Sequence, residues 1–247
     1  MLSQLPHHYT ALVTGASGGI GTAIIKQLLT SSNVGHIIAV SRRQPPHIND
    51  PRLTHLILDV SQEQGRQALQ NELTAQPIHF FFNAIGILHG EAEQLLPEKR
   101  LDVLSAENLA QIMHVNAYTP ALLLATLQDS FKGSHPTIIA SLSARVGSIT
   151  DNHLGGWYSY RASKAAHNML LKTASIELKR LNKQSVVLCL HPGTTDTALS
   201  KPFQARVPTE KLFTPTFVAE QLLAVIAQRT PEDSGTFWDW DGQPIDW

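Results

Sequence analysis

A short apolar stretch, Tyr9 to Thr14, runs directly into Gly15-Ala16-Ser17-Gly18-Gly19-Ile20-Gly21. A helical pattern follows at once, with Ile20, Ala23, Ile24, Gln27 and Leu28 spaced for one face. A strand that turns through glycine into a helix folds that helix back over the sheet, and the next strand then arrives parallel to the first. Gly15 allows the tight turn, Gly19 lets the backbone approach a pyrophosphate, and Gly21 lets helix and strand pack closely. The helix N-terminus offers free N–H groups and a positive dipole end to an anion. A plain glycine-rich connection is the competing reading.

The rest of the chain repeats the alternation. Strand patterns are read at His36 to Val40, Leu53 to Leu58, Ile78 to Phe82, Thr137 to Leu142, Ser185 to Leu190 and Gly235 to Trp240. Helical patterns are read at Ser61 to Ala75, Asn108 to Phe131, Tyr158 to Leu181 and Thr214 to Gln228, with Pro120 expected to kink the second near its middle. About seven strands alternating with helices predict an α/β fold, a doubly wound parallel sheet of the Rossmann type with helices on both faces. No linker or repeat divides residues 1–247, so one domain is expected to carry both cofactor and substrate sites. The strands should end together at Gly15, Ser41, Asp59, Asn83, Ser143 and Pro192, and that edge is the default ligand site.

Composition excludes several function classes. Of 247 residues 43% are hydrophobic and the net charge is −1, so no basic face for nucleic acid is offered. The single cysteine, Cys189, lies in an apolar run and reads as an inert core thiol. The N-terminus lacks a basic region before an apolar core, and the longest strongly apolar runs are far too short to span a membrane. A soluble, cytoplasmic protein is expected. The twelve histidines are scattered without metal-ligand spacing, and no serine sits in a Gly-x-Ser-x-Gly elbow. No metal site is expected.

The chemistry concentrates in a few places. Tyr160 and Lys164 are four apart on a predicted helix and share its face. A nearby ammonium stabilises phenolate and would pull a tyrosine pKa toward the working range. Twenty residues after Gly21, where an acidic residue would hold the ribose 2′-hydroxyl of NAD, stand Ser41, Arg42 and Arg43. A guanidinium there suits a 2′-phosphate, which predicts NADP(H) with Arg42 and Ser41 as ligands. Two arginines merely solvating a strand end are the alternative. Asp59, before Val60, would cap the next helix, face the adenine, or both.

With these residues assembled, the chain resembles the short-chain dehydrogenase/reductase family from Thr10 onward. Thr14-Gly15-x-x-x-Gly19-x-Gly21 is similar to that family's cofactor turn, Tyr160-x-x-x-Lys164 to its catalytic pair, and Pro192-Gly193-x-x-x-Thr197 to its nicotinamide-side loop. Asn116 matches the asparagine of its long fourth helix. Trp238-Asp239-Trp240-Asp241-Gly242 and Gly147-Ser148-Ile149 resemble the branch of C-factor-like and sniffer-like carbonyl reductases. Two departures stand out. Asn83-Ala84-Ile85-Gly86 keeps only Asn83 and Gly86 of the usual Asn-Asn-Ala-Gly. The position of the family's catalytic serine falls on Ala144, which leaves Ser143, seventeen residues before Tyr160, as the expected serine.

The resemblance implies an NADPH-dependent carbonyl reductase. Tyr160 would be the proton donor, Lys164 would tune it and hold the nicotinamide ribose, Ser143 would bind the carbonyl oxygen, and Asn116 would anchor a water linking Lys164 to solvent. It also implies cofactor contacts from Gly15, Ser17, Gly19, Ile20, Gly21, Ser41, Arg42, Asp59, Val60, Asn83, Gly86, Tyr160, Lys164, Pro192, Gly193 and Thr197, and a homodimer or homotetramer. Residues 199–213 are expected to form a substrate lid. A nucleotide-binding regulator of the same fold with little turnover is the alternative reading.

Overall fold

Phe80-Phe81-Phe82, Ile138-Ile139 and the run Val186 to Leu190 are apolar at consecutive positions, so both sheet faces must be covered. The computed structural model, which describes residues 2–45, 47–90 and 96–247 except the Arg206 side chain, shows how. In chain order the main elements are β1 (Tyr9–Thr14), α1 (Gly19–Leu29), β2 (Val34–Ser41), β3 (Leu53–Ile57), α2 (Glu63–Leu73), β4 (Phe80–Asn83), α3 (Ala106–Met113), α4 (Thr119–Thr126), α5 (Gln128–Phe131), β5 (Thr137–Leu142), α6 (Tyr158–Leu181), β6 (Ser185–His191), β7 (Thr194–Thr195), β8 (Leu212–Phe213), α7 (Pro215–Ala227) and β9 (Thr236–Asp239). Seven strands form one parallel sheet in the order β3-β2-β1-β4-β5-β6-β9, the doubly wound arrangement the alternation predicts. The short β7 and β8 pair separately.

Each central strand sends alternate residues to opposite cores. Val13, Phe80, Phe82 and Leu188 pack with Ile24 and Leu28 of α1 and Val218 and Leu222 of α7. Leu12, Phe81, Ile139 and Val187 pack with residues of α2, α4 and α6 on the other face, among them Leu69, Leu123 and Leu171. Cys189 lies in this second core, and burial pushes its thiol up to about 12, so it stays protonated. Among the described residues no helix is long and apolar enough to cross a membrane.

β1, β5 and α6 fall on the residues their patterns mark. The long helix read at Asn108 to Phe131 does not. A π-turn at His114–Tyr118 interrupts it, and Pro120 opens α4 beyond the break. The disruption thus precedes the proline, which stands in a first turn where a missing N–H is tolerated. The excursion read at Leu88 to Leu104 is described only outside 91–95, and Met1 of the N-terminal reading also lies outside the described residues.

The glycine turn is held by contact as well as by conformation. Gly15 has φ +73, and a Cβ on Gly21 would stand 2.3 Å from the Gly15 carbonyl oxygen. Backbone meets backbone there, with no flexible side chain to yield. Gly21→Ala is expected to destabilise the fold by about 1–3 kcal/mol, as overpacking does, and chemical denaturation followed by circular dichroism measures this.

Candidate active site

Tyr160 sits in the first turn of α6, and Lys164 lies one turn further on the same face. Both are buried, Tyr160 at 8% exposure and Lys164 at 3%. The Lys164 ammonium lies 5.9 Å from the Tyr160 ring centroid and donates at 2.9 Å to the carbonyl of Leu142, at the end of β5. Burial lowers the Lys164 pKa to about 8, because the charged form loses its water. The same cause raises the Tyr160 phenol above its ordinary value. This corrects the simple expectation from spacing: among the chain's own residues burial outweighs the ammonium, and Tyr160 holds its proton more firmly than a free tyrosine does.

Around Tyr160 the surroundings are apolar. Tyr160, Leu88, Ile112 and Ala144 form one small cluster, flanked by Ile87, Val146, Trp157, Leu199 and Phe203. Trp157 meets the Tyr160 ring edge-on at 6.1 Å and the Phe203 ring at 5.3 Å, and His89 lies 5.9 Å from Phe203. Trp157 adopts a left-handed backbone, φ +54, directly after Gly155 and Gly156 with φ +64 and +66. A non-glycine residue held there costs about 1–2 kcal/mol. The Arg161 side chain braces this turn through the carbonyls of Gly155 and Gly156.

Ser143 is 3% exposed. Its hydroxyl donates to Asn168 Oδ1 at 2.6 Å, inside the protein. Successive residues leaving a strand face opposite ways, so the adjacent Ala144 is the one that joins Tyr160. Ala144 offers no hydroxyl, while the Ser143 hydroxyl is engaged by Asn168.

Several other expected ligands are already engaged. Asn83 is 1% exposed; its Oδ1 accepts from Thr14 Oγ1 and its Nδ2 donates to Ser141 Oγ, both at 2.8 Å. Its side chain thus ties β1, β4 and β5 together. The Ser41 hydroxyl turns back to the Arg43 carbonyl at 2.7 Å, whereas Arg42 is exposed at the strand end. Asp59 Oδ1 accepts from the N–H and hydroxyl of Ser61, closing a turn ahead of α2 without capping it, and Val60 is buried. Asn116 lies in the π-turn; its side chain pairs with both backbone groups of Ile87 and donates to Ser163, whose hydroxyl meets the Tyr160 carbonyl. Pro120, four residues later, supplies no N–H to the Asn116 carbonyl.

The remaining predicted residues do converge. Ser17, Gly18 and Gly19 are exposed, and α1 begins without a side-chain cap or an acid in its first turn, so its N–H groups and dipole face outward. A Cβ at Gly19 would stand 2.8 Å from Thr197, which brings the loop after β6 against the glycine turn. Gly86 faces the other side: a Cβ there would lie 3.5 Å from Lys164 Nζ. Gly193 has φ +69, and β7 beyond it pairs with β8 from the far end of the 199–213 segment. An exposed anion-binding turn, an exposed guanidinium and a buried Tyr–Lys pair share one sheet edge, and these residues fit a 2′-phosphorylated dinucleotide.

Phe203 falls within the expected 199–213 lid, whereas no sequence pattern marks Trp157, His89 or Asn168. The Gly155-Gly156 pair before Trp157 signals an unusual turn, but which rings meet across the edge depends on the assembled sheet.

A sequence model of the short-chain dehydrogenases matches residues 9–207. The chain is 30% identical over 246 residues, 96% of its length and 99% of the relative's, to 1-hydroxy-2-glutathionyl-2-methyl-3-butene dehydrogenase of Rhodococcus sp. (strain AD45). Its fold is similar to the NADPH-bound carbonyl reductase from chicken fatty liver, with TM-score 0.83 at 24% identity over 98% of this chain and 100% of that one. It is also similar to the carbonyl reductase Sniffer of D. melanogaster, with TM-score 0.82 at 21% identity over 98% and 100% of the two chains.

The buried ammonium has a stability consequence. Folding lowers the Lys164 pKa from 10.5 to about 8, so above pH 8 the unfolded chain binds more protons and stability rises with pH until about 10.5. The native protein should therefore gain on the order of 3 kcal/mol relative to Lys164→Met across that window. Parallel urea titrations at pH 7.5 and 10.5 without nucleotide measure the difference.

Proposed function

The chain belongs to the short-chain dehydrogenase family, and from that premise we propose that it is an NADPH-dependent reductase of small carbonyl compounds. One observation carries the reading: a phenol kept protonated by burial stands beside a buried lysine at the sheet's ligand edge. A phenol in that state is a general acid, as reduction requires. The NADPH named in the carbonyl reductase neighbour supports the choice of cofactor.

When bound, the dinucleotide supplies hydride to the carbonyl carbon and leaves a positive nicotinamide ring. The chain's residues do the rest. The Ser17–Gly19 turn and the α1 N-terminus hold the pyrophosphate, and Ile20 and Thr197 flank it. Arg42 holds the 2′-phosphate. Lys164 binds the nicotinamide ribose, and Gly86, Pro192 and Gly193 shape that end of the cleft. Tyr160 donates its proton to the developing alkoxide. A positively charged nicotinamide held beside Lys164 would add to its charge, and together they would offset the burial that holds the phenol up. The Asn116 carbonyl, lacking a donor from Pro120, accepts a water that returns protons through Lys164. The 199–213 segment closes over the substrate, hinged where β8 pairs with β7 and docked through Phe203 on Trp157. The aromatic and aliphatic lining suits a modestly apolar, uncharged substrate.

Placement in the cytoplasm is part of this reading. So is a homodimer or homotetramer through α4 and α6, which expose Leu122, Met169 and Ile176. Ala144 favours a second reading, a nucleotide-binding regulator, because it brings no hydroxyl to the side of Tyr160.

Two experiments decide. Tyr160→Phe should bind NADPH as the native protein does yet lose at least about a hundredfold in carbonyl reduction; full activity in that variant removes the catalytic assignment. Arg42→Ala should raise the NADPH dissociation constant about tenfold and leave NADH little changed, as followed by nicotinamide fluorescence. NADPH binding without turnover of any carbonyl in a broad screen would favour the regulator.

A further inference from the structure

Three charged side chains are buried among the described residues: Lys164, Asp239 and Glu98. Lys164 belongs to the proposed mechanism. Asp239 pairs with Arg145 and accepts from the backbone of Asp241 and Gln243 in the turn after β9. Glu98 comes from the segment after β4, read in sequence as a surface excursion, yet it is 4% exposed and its neighbour Pro97 is buried too. Burying a carboxylate is costly unless it is hydrogen-bonded, so its partners are informative.

Those partners all lie at the start of α6. Glu98 Oε1 accepts from the Ser159 hydroxyl at 2.5 Å, and Oε2 accepts from the Ser159 N–H at 3.2 Å. The Glu98 backbone carbonyl accepts from Trp157 N–H. This helix start needs outside help. Trp157, its capping residue, is left-handed and provides no side-chain cap, and the first turn holds no acid of its own. The first N–H groups of a helix require acceptors, and a negative group there is favoured by the dipole. Glu98 supplies both functions from about sixty residues away in sequence.

We propose that Glu98 is a positioning residue for Tyr160: it caps α6 from a distant segment and thereby sets the direction of the phenol and of the Trp157 ring against it. The proposal rests on the reductase reading. Tyr160 is the residue next to Ser159, and the Ser163 hydroxyl donates to its carbonyl. The segment that carries Glu98 also carries Ile87, Leu88 and His89, which line or flank the apolar cluster. One carboxylate thus couples the wall of the substrate cleft to the turn bearing the acid. Errors of about 1 Å at a reacting group cost up to a hundredfold in rate, so the cap should be visible in turnover.

The test compares Glu98→Ala, Glu98→Gln and Ser159→Ala with the native protein in three measurements. These are kcat on the best carbonyl substrate from the screen, the NADPH dissociation constant, and deuterium uptake over residues 158–161. Glu98→Ala should lose about tenfold in kcat while NADPH affinity stays within about twofold, since the glycine turn and Arg42 are untouched. Glu98→Gln, which keeps one acceptor oxygen, should recover part of the loss. Ser159→Ala keeps the carboxylate on the backbone N–H and should lose less, which preserves the test if Glu98→Ala fails to fold. Uptake should rise in the same order as kcat falls.

Native-like kcat in Glu98→Ala, or in Ser159→Ala where Glu98→Ala does not fold, would overturn the proposal. Equal losses of kcat and NADPH affinity would also overturn it, since they mark a general structural role. A native protein that reduces no carbonyl overturns the reductase reading and this role with it. An active native protein with an indifferent Glu98 variant overturns this role alone.

Discussion

The Lys164 ammonium is where sheet, helix and chemistry meet. It is 3% exposed and bonds the last carbonyl of β5. A charge removed from water to that extent is tolerated only where acceptors are fixed, and the lowered pKa records the remaining cost. Its position sets others. Gly147 has no side chain because a Cβ there would stand 2.7 Å from Lys164 Cβ. Gly86 borders its other side. Tyr160, four residues earlier, is carried into the apolar cluster by the same turn of helix. Burial therefore has opposite effects on the two partners: it makes Lys164 readier to give up its charge and Tyr160 readier to keep its proton.

Polar residues at the strand ends hold this arrangement. Thr14, Asn83 and Ser141 form a buried chain across three strands, and Ser143 with Asn168 fastens β5 to α6. Asn116 fastens the turn after β4 to the same helix through Ile87 and Ser163. Buried polar groups left unpaired cost about 1–3 kcal/mol each, so these networks fix one geometry. They also show why residue type misleads at such an edge: asparagine and serine serve equally as cofactor ligands and as clamps between strands.

Much of the fold was legible in the sequence because its signals are local and redundant. Tyr9–Thr14 into the glycine turn, the apolar Thr137–Leu142 run and the 3.6-residue period of α6 each have one consistent reading. The π-turn was not legible, since Pro120 marks a break without saying on which side it falls. The partner of Ser143 was not legible either, since Asn168 lies on a helix 25 residues away. The aromatic wall of Trp157, Phe203 and His89 joins three segments far apart in sequence, so no spacing rule reveals it.

The chain alone holds the Tyr160 phenol above its ordinary pKa, and on the proposed mechanism a charged nicotinamide would release it. Tyrosinate absorbance at alkaline and neutral pH, followed with and without saturating NADP⁺ in the native protein and in Tyr160→Phe, measures this directly. Two tyrosines, Tyr9 and Tyr160, should titrate above the ordinary range without nucleotide; one of them should shift several units downward with it, and that component should be missing in Tyr160→Phe. A tyrosinate titration that NADP⁺ leaves unchanged would contradict the claim.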